Sequence, residues 1–158
     1  MAHDVDTWLE DFVAAHERDF QQALGEIRAG RKATHWMWYI FPQVNREGAS
    51  GTAVRYSVPS IEHAMAFLCH PTLGANYLAI TREARMQLEV STRPEKVLAL
   101  FEHPDHLKFV SSVTLMGEVA RRAGLTTIAY ECETSLALAY ADGMSECEVT
   151  KSFLGGLN

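Results

Sequence analysis

The chain has 158 residues, of which 47 % are hydrophobic and 22 % charged, and it carries a formal net charge of −6. Such a length and composition describe one globular domain, and no apolar run approaches the roughly 20 residues that a membrane-spanning helix needs. The acidic balance opposes the counterion release on which nucleic-acid affinity rests, so no large nucleic-acid interface and no membrane partner is expected.

From Thr7 to Ala29, Trp8, Leu9, Phe12 and Val13, then Phe20, Ala23, Leu24 and Ile27, recur at steps of three and four, which is helical periodicity. The charged group His16-Glu17-Arg18-Asp19 interrupts the stripe, which predicts two helices meeting at a bend. Gly30 is placed to stop the second in a left-handed conformation. The basic cluster Arg28, Arg31 and Lys32 reads first as a solvated helix end, with a phosphate-facing role as the alternative.

The next stretch is the most unusual of the chain: His35-Trp36-Met37-Trp38-Tyr39-Ile40-Phe41-Pro42-Gln43. Each aromatic ring buries roughly 150 to 250 Å² when packed, so this segment is expected to thread the centre of the fold and leave its polar tips at a cavity. Pro42 biases Phe41 away from helical dihedrals, which ends any helix through Trp36 to Ile40. A loop with Asn45, Gly48, Ser50 and Gly51 follows, and Thr52 to Tyr56 makes at most a turn or two of helix.

Ser60 then caps a helix with His63 in the capping-box position and Ile61, Met65 and Leu68 on its buried edge. His70-Pro71 opens a longer helix, proline being tolerated at the first helical position. Its stripe of Leu73, Tyr77, Ile80, Ala84 and Leu88 leaves Arg82, Glu83, Arg85 and Glu89 for an outer charged face. Thr92-Arg93-Pro94 predicts a short helix through Leu100, and His103-Pro104-Asp105 predicts one running to Gly124. Thr126 to Ala141 is read as helix stopped by Gly143, and a last helix runs from Ser145, with Glu148 completing a capping box, to about Phe153. Nothing between Thr7 and Leu125 shows sustained two-residue alternation flanked by hairpin turns. The expected fold is all-α, a single-domain multihelical globule of residues 1–158 with about seven to nine helices.

The familiar catalytic motifs are missing from the sequence, so chemistry has to come from constellations. His35, beside bulky aromatics, is either a titratable site group or a core histidine satisfied by carbonyls. Gln43 offers a donor and an acceptor in a constrained turn. In the helix after Pro104, Lys108 with Ser111, Ser112 and Thr114 either admits a close-packed neighbour or sets a cation and hydroxyls against an anion. Arg55-Tyr56 and Glu62-His63 can supply a guanidinium and a carboxylate to the same cavity. Cys69, Cys132 and Cys147 show no metal or redox spacing, and His63, His70, His103 and His106 do not form a ligand set, so neither a metal nor a cofactor is expected. The acidic start, Met1 to Asp6, lacks the features of an export signal and suggests a cytoplasmic protein; its oligomeric state is left open.

Several blocks together resemble a bacterial family of uncharacterised proteins sometimes labelled "calpastatin". They are Arg28 to Lys32, His35 to Gln43, Arg55-Tyr56, His70-Pro71-Thr72-Leu73-Gly74 and Asp105 to Leu115, and they cover the chain from about Leu9 to Leu115. The resemblance implies a multihelical single domain with no established activity, and the label itself has no support in these residues. Met116, where the family pattern usually has an aromatic, and a carboxyl-terminal third that matches poorly depart from the family. Pro59-Ser60-Ile61-Glu62-His63-Ala64 is similar to a helix start of the NADAR family, which acts on ADP-ribose-type N-glycosidic linkages. The first reading is a pocket for a small anionic or nucleotide-like ligand, bordered by His35, Trp36, Trp38, Gln43, Arg55, Tyr56, Lys108 and Ser111. The NADAR-like alternative makes Glu62 and His35 catalytic in hydrolysis, and a third reading is a non-catalytic structural or interaction protein.

Overall fold

The computed structural model describes residues 4–45 and 51–156. Among them the chain forms nine helices and no strand: α1 (Val5–Arg28), α2 (Met37–Ile40), α3 (Gly51–Arg55), α4 (Ile61–Cys69), α5 (Pro71–Val90), α6 (Lys96–Phe101), α7 (Asp105–Ala123), α8 (Thr126–Ala141) and α9 (Glu148–Gly155). The all-α expectation holds. One parallel bridge, Val44 with Val58, joins the segments on either side of α3. The part of the expected loop that contains Gly48 and Ser50 lies outside the described residues. No described helix is long and apolar enough to cross a membrane.

The first 24-residue helix is continuous, so the bend expected at His16 to Asp19 is not there. His16 is only 3 % exposed and points inward, where Nε2 lies 2.8 Å from the Tyr39 carbonyl and Nδ1 lies 3.1 Å from the Asn76 amide nitrogen. A carbonyl can only accept, so the proton sits on Nε2 and Nδ1 accepts from Asn76. The imidazole thus counts as part of the apolar stripe, and stacks on Phe20 with ring centres 5.9 Å apart. After Ala29, Gly30 takes φ +90°, the left-handed stop expected of it.

Helix α7 packs against α4, α6, α8 and α9, while α5 lies between α1 and α8. The aromatic segment does thread this core. Phe41 meets Tyr77, Phe101 and Phe109 edge-on at 5.9, 5.6 and 5.3 Å, and it leaves the helical region at φ −120°, ψ 76° just before Pro42. All five members of the α5 stripe are buried. A Cβ on Gly74 would stand 2.1 Å from the Leu68 carbonyl oxygen, so only glycine lets the start of α5 pass so close to α4.

The helix ends correct several expectations. Ser60 caps α4 as expected, accepting from His63 N–H at 3.1 Å, and Pro71 is the first residue of α5. The start after Thr92-Arg93-Pro94 is different: α6 begins at Lys96, following Glu95 in a left-handed conformation. Its first amides are capped by Asp142 from the end of α8, at 2.9 Å to Lys96 N and 3.1 Å to Val97 N. Helix α9 starts at Glu148 with no side-chain cap, so the Ser145–Glu148 capping box does not form. Arg82 and Arg85 do not simply face solvent, since both reach across to Glu131 of α8, which is 3 % exposed.

Candidate functional site

The turn between α1 and α2 is built on one carboxylate. Glu26, on the last turn of α1, is 7 % exposed. Its Oε1 accepts from Ala33 N–H at 2.6 Å, Thr34 N–H at 2.9 Å and Trp36 Nε1–H at 2.9 Å. Its Oε2 accepts from the Thr34 hydroxyl at 2.5 Å and from Gln22 at 2.8 Å. Burial alone would raise the Glu26 pKa, but the donors of Thr34, Ala33 and Gln22 outweigh it and bring the carboxyl down to about 2. The Lys32 amide adds a bond to the Leu100 carbonyl at 2.8 Å, which ties the turn to α6.

So held, residues 32–39 form one wall of a cavity of about 350 Å³, lined by Lys32, His35, Trp36, Met37, Trp38 and Tyr39 together with Thr52 of α3 and Asp105 and Lys108 of α7. Asp105 is its centre: Oδ2 is 2.7 Å from Lys32 Nζ and Oδ1 is 2.9 Å from Lys108 Nζ. Each ammonium also sits over an indole, Lys32 at 4.9 Å from the Trp36 ring centre and Lys108 at 3.9 Å from that of Trp38. Burial raises the Asp105 pKa, and the hydrogen bonds from Lys32 and Lys108 more than reverse this, leaving it below the ordinary carboxylate range. Lys32 donates further to the Thr34 carbonyl at 2.5 Å and is 6 % exposed, whereas the Lys108 side chain is 17 % exposed. The three charges sum to one positive, in a chain whose net charge is −6.

Of the residues singled out in the sequence, the structure brings His35, Trp36, Trp38 and Lys108 to this cavity. Trp36 is 2 % exposed and committed to Glu26, while Trp38 is half-buried and His35 exposed. The others lie elsewhere. Arg55 pairs with Asp11 at 3.0 Å on the surface and covers the ring of Tyr56, which is buried against Phe12 and Tyr39. Ser111 faces α9 and hydrogen-bonds Thr150 at 2.8 Å, so its small size serves packing. Gln43 is 3 % exposed, with no hydrogen-bond partner for its side-chain amide among the described residues, and it is not among the lining residues. Glu62 is exposed on the first turn of α4.

Lys32, Met37, Tyr39, Thr52 and Asp105 complete the lining. The solvated helix end expected at Arg28, Arg31 and Lys32 does not hold for Lys32, which is buried against Asp105. The available signal was Asp105 and Lys108 at a three-residue spacing on the first turn of a helix. A second cavity of about 340 Å³ between α7, α8 and α9 contains Arg122 and Lys151, but each has its own carboxylate, Glu118 at 2.9 Å and Glu146 at 2.6 Å. Among the described residues no group of three or more His, Cys, Asp or Glu side chains is gathered as metal ligands would be.

A family model described as "Protein of unknown function (DUF1810)" matches residues 6–147, which extends beyond the blocks ending at Leu115. Among solved structures, a conserved hypothetical protein from Mycobacterium tuberculosis is 33 % identical, with a TM-score of 0.78 over 91 % of this chain and 94 % of that one. A search of curated proteins finds no match.

Proposed function

Because the chain belongs to the family described as protein of unknown function (DUF1810), which names no activity, we propose from its own side chains that the cavity around Asp105 binds a small anionic, nucleotide-like ligand. The observation that carries this is the convergence of two lysine ammoniums on one carboxylate in an aromatic-walled cavity. An ammonium has three N–H donors. Lys32 spends two donors on Asp105 and Thr34 and rests on Trp36, while Lys108 spends one on Asp105 and keeps two for a ligand. The cavity of about 350 Å³ is at the small end of the roughly 300 to 1,000 Å³ range of ligand pockets. That suits one phosphorylated unit with a ring against the exposed part of Trp38.

Binding ranks above hydrolysis because Asp105 is the only carboxylate among the described lining residues and both its oxygens are engaged by lysines. Such a carboxylate is a weak base. Glu62, the acid of the hydrolytic alternative, lies on an exposed helix start. The test is a thermal-shift screen with nucleotides, sugar phosphates and ADP-ribose, in which a ligand at 100 times its Kd adds about 2.7 kcal/mol to stability. Lys108→Met should weaken the ligand found by about 1.5 to 3 kcal/mol, the value of a hydrogen bond to a charged group, with the fold unchanged. An equal shift in wild type and Lys108→Met removes this reading.

A further inference from the structure

We propose that Asp105 is a resident competitor for the anion site, so that a phosphoryl group binds by taking Lys108 away from it. This rests on the reading of the cavity as an anion site and adds which group sets its affinity. The two lysines on Asp105 are not equivalent. Lys32 is 6 % exposed and also held by the Thr34 carbonyl at 2.5 Å and by the Trp36 face, so two of its three donors are spent and it lacks the room to follow a ligand. Lys108 is held by Asp105 Oδ1 at 2.9 Å and the Trp38 ring, and its side chain reaches solvent. It is the exchangeable partner.

A purely stabilising role explains Lys32 with Asp105 but not Lys108. A buried ammonium needs a permanent counter-anion, and Asp105 Oδ2 supplies it. The second pair, between residues three apart on the first turn of α7, is partly solvated, and such pairs contribute little to stability. What it does is neutralise, in the absence of ligand, the more exposed of the two lysine ammoniums lining the cavity, which makes a single hydrogen bond among the described residues. A phosphoryl group presents two or three oxygens spaced much like those of a carboxylate, so the same ammonium can pass from one to the other. The carboxylate then repels the incoming anion and lowers its affinity, which restricts the site to ligands that recover the loss through their ring or hydroxyl contacts.

The experiment is calorimetric titration with inorganic phosphate at fixed ionic strength, on wild type, Lys108→Met, Asp105→Asn and the double variant Asp105→Asn/Lys32→Met. The proposal expects phosphate to bind Asp105→Asn at least tenfold more tightly than wild type. The double variant keeps the same formal charge at the three positions as wild type, one positive, and has no unpaired buried ammonium, so it also carries the test if the single variant does not fold. It too should bind more tightly, because Lys108 is released. A gain in Asp105→Asn alone would mean that net charge decides, and would overturn the proposal. If wild type binds phosphate, Lys108→Met loses it and neither aspartate variant gains, the anion site stands and the competitor role falls. If none of the four proteins binds phosphate, both fall.

Discussion

Replacing Glu26 with Gln tests whether one carboxylate fixes the site wall. The carboxyl moves from an ordinary 4.5 to about 2 in the folded chain, which at about 1.4 kcal/mol per pKa unit corresponds to about 3 kcal/mol of stability. The sign follows from the folded value being lower. The unfolded chain binds the proton first as pH falls, so this stability is complete above pH 4.5 and disappears as pH drops toward 2. A glutamine has one acceptor oxygen and one NH₂. With its oxygen kept toward the donors of Ala33, Thr34 and Trp36, its NH₂ meets the Thr34 hydroxyl and the Gln22 amide, which must both turn to accept, and the charge that strengthens all five bonds is gone. Urea unfolding of the two proteins at pH 7 should therefore separate them by about 3 kcal/mol. The gap should shrink when both are unfolded at pH 3, because the wild-type carboxyl is then losing its advantage. Equal midpoints at pH 7, or a gap of the same size at both pH values, would refute the reasoning.

Two further outcomes follow from the same core. Burial holds the His16 pKa down to about 4 against an ordinary 6.5, so the imidazole is neutral in the fold and the unfolded chain takes up its proton first. Stability should fall by up to about 3 kcal/mol between pH 6.5 and 4, and His16→Gln should flatten that slope in pH-resolved denaturation; an unchanged slope would show that His16 does not set it. Trp36→Ala removes a ring that is 2 % exposed and should cost about 3 to 5 kcal/mol, whereas Trp38→Ala, at a half-buried position, should cost less. Chemical denaturation of both variants decides this, and equal losses would contradict the burial order.

The parts of the fold legible in the sequence were those where residue type and periodicity agree. The α5 stripe, the Gly30 stop and the centrality of the aromatic segment are local patterns, and all three hold. The misread places have a polar residue whose partner is distant in sequence. His16 breaks a hydrophobic stripe on paper, but with both nitrogens paired it packs like an aromatic ring. The start of α6 is set by Asp142, 46 residues after Lys96, and no local capping rule can reveal that. At the site, His35, Trp36, Trp38 and Lys108 were accessible because an aromatic block must be covered by something. Lys32 was obscured by Arg28 and Arg31, its exposed neighbours, since only the fold distinguishes a buried cation from a solvated one.

The order of contacts explains why the site opens at Lys108 and not at Lys32. Starting from α1, Glu26 accepts the Trp36 indole N–H, the Trp36 ring faces Lys32, Lys32 pairs with Asp105, Asp105 pairs with Lys108, and Lys108 lies over Trp38. Charges of opposite sign and electron-rich rings alternate along this series. An indole whose N–H donates to a carboxylate is a richer π-face for a cation, so Glu26 strengthens the hold on Lys32 without touching it. Exposure is low at the inner end, 7 % at Glu26 and 6 % at Lys32, and higher at the outer end, 17 % at the Lys108 side chain. The buried end is fixed by five hydrogen bonds to Glu26, while the outer end is held by one ion pair and one ring. The proposed ligand would meet the loosest member first, and moving Lys108 would leave the counter-ion of Lys32 in place. The anion exchange proposed at the cavity mouth would therefore need no rearrangement of the buried turn behind it.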